Sequence, residues 1–129
     1  MATGLSASLA NSILNHFRGS TPWVQPAGLF VKLHTADPGA AGTTAAAGNT
    51  TRQQGTFGTP AAGSITNTAA ILWTNVSTQE TYSHVSVWDA AAGGVFLWSG
   101  LLAVPRPVTV GADFQIKISE ITASFGVAA

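Results

Sequence analysis

The sequence predicts a mainly β domain, an antiparallel β-sandwich or small barrel of jelly-roll-like kind, with one N-terminal α-helix. Three observations carry that expectation. From Leu29 to Phe125, six or seven short stretches alternate apolar with polar residues and are separated by turn signals. The segment 80–102, ETYSHVSVWDAAAGGVFLWSGLL, reads as two strands joined by a glycine-rich turn. Only residues 4–18 carry apolar residues at helical spacing. At 129 residues the chain has the length of one domain with a modest core, taken here as spanning 1–129.

The elements follow in order. In GLSASLANSILNHFR, Leu5, Leu9, Ile13 and Phe17 recur every fourth residue and Leu14 widens the stripe. Gly19 stands where a left-handed C-cap is expected. A helix this short needs a docking surface, either its own sheet or a neighbour's. Ser20–Gly28 is a proline-punctuated connector. The strand over 28–35 places Leu29, Val31 and Leu33 on one face and Phe30, Lys32 and His34 on the other, and Asp37-Pro38-Gly39 ends it.

Residues 40–63 form a long stretch of small polar residues with one charge, Arg52, and one large apolar residue, Phe57. It reads as a flexible loop or as an arm reaching across a subunit boundary, part of which, near 50–57, pairs as an edge strand. Its removal is expected to leave the domain folded. A strand over 69–76 sets Ile71 and Trp73 against Leu72 and Val76. In the hairpin, Val85 and Val87 oppose Tyr82, His84, Ser86 and Trp88, and the run Val95–Trp98 suits a strand covered on both faces. Two prolines flank Arg106, which places 103–111 at a sheet edge or crossover. Residues 113–120 then turn Phe114, Ile116 and Ile118 inward, and Ile121, Ala123 and Phe125 continue as a last strand.

Charge narrows the functional classes. Only 8% of residues are charged and the formal net charge is zero, against roughly a quarter charged in an average soluble domain. Such a surface repels other copies weakly, so the chain reads as one that lives within an assembly. No Lys/Arg cluster marks nucleic-acid binding. No apolar run approaches the length of a membrane helix. The absence of cysteine excludes thiolate metal sites and a cysteine nucleophile.

Catalytic constellations are equally sparse. His16, His34 and His84 show no metal-ligand spacing. Ser83 or Ser86 with His84 and Asp89 could be assembled into a triad, yet neighbours on a strand point to opposite faces and no nucleophile elbow is visible. The chain is therefore expected to be no enzyme and to carry no cofactor or metal. Trp23, Trp73, Trp88 and Trp98 are better explained by packing than as sugar platforms. An exposed Trp pair flanked by carboxamides would favour glycan binding, and none is evident. Asn49-Thr50-Thr51 and Asn75-Val76-Ser77 match the glycosylation triplet, a pattern too common to weigh.

GLSASLANSILNHF, FVKLHTADPGAAGT and WTNVSTQETYSHVSVWDAAAGGVFLWSG together resemble a family of small virion proteins of tailed bacteriophages of actinobacteria, variously labelled minor capsid, head-decoration or tail-fibre proteins. The resemblance implies a structural component of the particle without catalysis. The expected role is a capsid decoration (cement) protein, a homotrimer bound to the outer surface of the major capsid protein lattice. It would be made in the host cytoplasm, and would touch neither nucleic acid nor membrane. The alternative is a tail or fibre module that binds host-surface glycans. For the decoration role the expected contact residues are Leu5, Leu9 and Ile13 on the helix, Arg52 and Phe57 in the long loop, and Trp98 in the hairpin.

Overall fold

A computed structural model describes residues 4–125, 127 and 128. Among them, one helix, α1 (Ala7–Phe17), precedes eight strands: β1 (Leu29–His34), β2 (Gln53–Gly55), β3 (Ser64–Thr66), β4 (Ile71–Trp73), β5 (Glu80–Trp88), β6 (Phe96–Val108), β7 (Phe114–Ile116) and β8 (Thr122–Ser124). The protein is mainly β, as the alternation predicts. A four-stranded antiparallel sheet runs β2-β1-β5-β6, and two antiparallel ribbons, β3-β8 and β4-β7, complete the fold. The sheets stay open, so the barrel alternative is not realised.

The β5–β6 hairpin is the spine. Val31 pairs with Val87 and Leu33 with Val85 across β1 and β5, so all four share one face, and all are fully buried. The β4–β7 ribbon supplies Ile71, Trp73, Phe114 and Ile116 to the same core. Tyr82 meets Phe114 edge-to-face at 4.8 Å, an arrangement worth about 1 kcal/mol beyond area burial. The hairpin turn uses the two glycines as expected, with Gly93 and Gly94 at φ of 62° and 73°. Asp89 closes it by accepting the Val95 amide at 2.6 Å.

Three stretches depart from simple alternation, each for a local reason. Strand β6 continues through Pro105 and Pro107 as the outer strand of the sheet. It absorbs Pro105 in a large bulge, since Tyr82 faces Arg106 while His84 faces Leu101, and Pro107 pairs in register with Thr81. The strand expected over 113–120 stops at Ile116, because Ser119 adopts φ 65° and the Ser119 amide is taken by the Asn67 carbonyl. That turn swings Ile118 to solvent, 61% exposed, where alternation had placed it inward. Likewise Asn75, at φ 52°, resets the phase after β4 so that Val76 joins Trp73 in the core.

Residues 40–63 lie along the body of the domain. The edge strand expected near 50–57 is present as β2, paired to β1 in the register Val31–Gln53. The Thr35 and Ala47 amides bond back across the preceding loop, to the Ala45 and Leu33 carbonyls. Gly42 accommodates the Phe96 ring, which would lie 2.6 Å from any Cβ there. Removing 40–63 would therefore strip a strand and one covering layer from the sheet, contrary to the expectation that such a deletion leaves the fold intact.

Candidate functional site

The N-terminal segment sets α1 down on its own sheet. Ser6 donates its amide to the Leu97 carbonyl (2.7 Å), and Ser99 donates to the Gly4 carbonyl (2.8 Å), which brings Leu5 beside Trp98. Ser6 then caps the helix by accepting the Leu9 amide at 3.0 Å. Gly19, at φ 72°, ends it as the sequence predicts. The helix is short and buries only Leu9 fully. The facing β3–β8 ribbon contributes the small Ala123. The two elements therefore fail to close on each other, and an apolar groove of about 280 Å³ remains between them.

Leu5, Leu9, Ile13, Trp23, Ile65 and Phe125 line this groove above Trp98, and no charged side chain reaches it. Leu5 is 39% exposed and Phe125 53%, whereas Trp98 retains 7%. Phe57 packs edge-on against Trp98 at 5.7 Å. Four of the six expected contact residues thus converge on one concavity, with Phe57 supporting its floor. Arg52 lies elsewhere. Its guanidinium donates to the Ala90 and Gly93 carbonyls at 2.8 and 2.7 Å and stacks over Trp88 at 4.0 Å, so it locks the hairpin tip.

A second groove, about 380 Å³, has the opposite chemistry. It lies between the 48–53 segment and the turn after β4, and is lined by Gly, Asn, Thr, Gln and Ser residues with Trp73 at its base. Both rims are held by backbone bonds. Glu80 receives the Gly48 amide on both carboxylate oxygens, Asp113 receives the Asn75 amide at 2.9 Å, and Trp73 Nε1 donates to the Thr51 carbonyl at 2.8 Å. Sequence reasoning missed this site. Its signal was present in the two Asn-x-Thr/Ser triplets, which border the groove from both sides.

The titratable groups of the hairpin and β1 that could have formed a catalytic set are committed to structure. His34 is fully buried. Its Nδ1 donates to the Thr44 carbonyl (2.8 Å) and its Nε2 accepts from Ser86 Oγ (2.8 Å), while Trp88 Nε1 donates to the same oxygen. Burial, and secondarily the Lys32 charge, push the His34 pKa down, so the ring stays neutral. Burial raises the Tyr82 phenol. Ser83 Oγ and His84 Nδ1 are 2.8 Å apart, but Ser83 also donates to the Thr35 carbonyl, and no carboxylate among the described residues bonds His84 from behind. Asp89 is spent on the hairpin turn. Among the described residues no three His, Asp or Glu side chains gather as a metal site, and no helix is long and apolar enough to cross a membrane.

A comparison with protein families covers nearly the whole chain. The model of the family described as "Podophage GP4 fiber I protein gp80" matches residues 4–124. The chain belongs to this family. This gp80-family chain is accordingly a structural protein of a bacteriophage particle, which agrees with the coarser part of the resemblance read from its sequence. No curated protein matches it.

Proposed function

We propose that this chain is an assembly subunit of the phage fibre, associating with further copies of itself through the apolar groove between α1 and β3–β8. The observation that carries the reading is the groove itself. It is an uncharged concavity whose rim exposes Leu5, Trp23 and Phe125 to water. Apolar surface of that kind is stabilised when a neighbour covers it, by about 25 cal/mol for each Å² removed from water. A chain of zero net charge opposes such contact with almost no electrostatic repulsion. The family description, which names a fibre protein, supports the fibre over other locations.

A capsid decoration role, as a trimer over the major capsid protein lattice, is the second reading. It is favoured by the short strands and by the lack of any repeat or coiled-coil stretch of the kind that builds a long shaft. Both readings keep the actinobacterial host that the sequence resemblance implies. Quantitative mass spectrometry of purified particles separates them, because decoration requires hundreds of copies and a fibre a few to dozens. The association itself is tested by sedimentation of the purified chain. Self-association abolished by Leu5→Glu is expected, and a wild-type chain that stays monomeric at every concentration would overturn the proposal.

A further inference from the structure

Residues 4–19 form an N-terminal arm that is joined to the rest of the chain as a separable piece. Its polar ties to the body lie at the outer edge of β6. The Ser6 amide donates to the Leu97 carbonyl, the Ser99 amide to the Gly4 carbonyl, and the Gly4 amide to Ser99 Oγ. Within α1 only Leu9 is fully buried, and the strand the helix rests on is β6. The arm therefore acts as a short strand that covers the free edge of the sheet's outer strand.

The connector to β1 is built as a spacer. Residues 20–25 are all exposed and form neither helix nor strand. Among the described residues, the backbone hydrogen bonds of 20–25 stay within the arm: the Ser20 amide donates to the Asn15 carbonyl and the Trp23 amide to His16 Nδ1. Pro22 and Pro26 fix φ and keep the residues before them extended. At about 3.1 Å per residue, 20–28 spans about 28 Å. That is twice the radius of gyration of about 14 Å expected for a domain of this length, far enough to reach a copy lying alongside.

We propose that neighbouring copies exchange these arms, each laying its 4–6 segment and α1 on the β6 edge of the other. The closed and exchanged forms make the same bonds and bury the same residues, and they differ in the path of the connector. A short flexible linker would hold the arm over its own edge at an effective concentration of about 1 mM, and a stiff one holds it there less well. Copies packed side by side overcome that advantage by mass action. The proposal rests on the reading of the chain as a self-associating subunit and adds the origin of one groove wall: α1 comes from the partner copy.

The test uses the purified full chain. Equal amounts of isotope-labelled and unlabelled chain are unfolded together, refolded and concentrated. Leu5 and Trp98 face each other as a strand pair, so their α-protons give an NOE that an isotope filter assigns to one chain or to two. Exchange is expected to place it between labelled and unlabelled chains in the dimer. Dimers without the cross-chain NOE would overturn exchange and leave groove packing standing, whereas a chain monomeric at every concentration would overturn both. A second measurement locks the arm onto its own body. Leu5→Cys and Gly100→Cys place two thiols on diagonal neighbours about 7 Å apart, position 100 has open space for a side chain, and the chain has no other cysteine. Bridged within one chain by a short bis-maleimide, this variant should dimerise about tenfold or more weakly in sedimentation than the same variant capped with two separate maleimides. Equal dimerisation of the bridged and capped forms would overturn the proposal.

Discussion

The two grooves are similar in size and opposite in construction. The apolar one exists because two elements are too small to close on each other: an 11-residue helix and a ribbon of three-residue strands. The polar one exists because two loops are held apart by carboxylate and indole bonds to backbone amides and carbonyls. A void that packing leaves open suits a partner with matching apolar bulk. The tryptophans at the two floors carry the same contrast. Trp73 Nε1 has a carbonyl partner, whereas Trp98 Nε1 is buried without one.

That contrast sets the largest expected effects. Trp73→Ala should cost about 4–5 kcal/mol by denaturant unfolding, since it removes a buried ring, its contact with Phe114 and a satisfied hydrogen bond. Trp98→Ala should cost less, about 3 kcal/mol, because its unpaired N–H already opposes folding. Equal losses would show that the hydrogen-bond state of the two indoles does not matter. Of comparable size is Asn67→Ala, about 3 kcal/mol. Its side chain donates to the Ala69 and Lys117 carbonyls and accepts from the Ile121 amide, three bonds in a site without water access.

A smaller effect separates the grooves by pH. His34 is held neutral with its folded pKa below the unfolded value of about 6.5. The unfolded chain therefore binds the extra proton first. The stability contributed by neutral His34 is present in full above about pH 6.5 and is lost as pH falls towards the folded pKa. Protonation would turn Nε2 from acceptor into donor against Ser86 and loosen the 44–48 segment, which carries one rim of the polar groove. Hydrogen exchange at pH 5.5 and 7.5 should show faster opening at Ala47 and Gly48 in acid, and unchanged exchange at Leu9 beside the apolar groove. Uniform acceleration would remove His34 from the explanation. The smallest expected effects are on stability at the polar walls. Gln53→Ala should lie within about 0.5 kcal/mol of the wild type, because no bond within the chain depends on that side chain.

The sequence carried the hairpin, β1, the helix C-cap at Gly19 and the burial of three of the four tryptophans, since period-two alternation and glycine at positive φ are local properties. It lost phase at Asn75 and Ser119, where a non-glycine residue in the left-handed region resets which face points inward. Nothing local announces that event, because Asn and Ser are ordinary turn residues in most contexts. It also could not show that 40–63 is stitched down, since the bonds that hold it reach β1, the hairpin tip and Glu80 far along the chain.

Composition and spacing by themselves determined a neutral, mainly β chain with a strong central hairpin; the phage structural family came from the resemblance of three segments and from the family match over residues 4–124. Which residues meet was decided only in three dimensions. Leu5, Leu9, Ile13 and Trp98 come together because the 4–6 segment pairs with β6, more than ninety positions away. Asn49 and Asn75 face one cleft because Trp73 reaches back to Thr51. Both grooves are products of long-range pairing, and a periodicity read along one segment carries no record of the segment that will lie beside it.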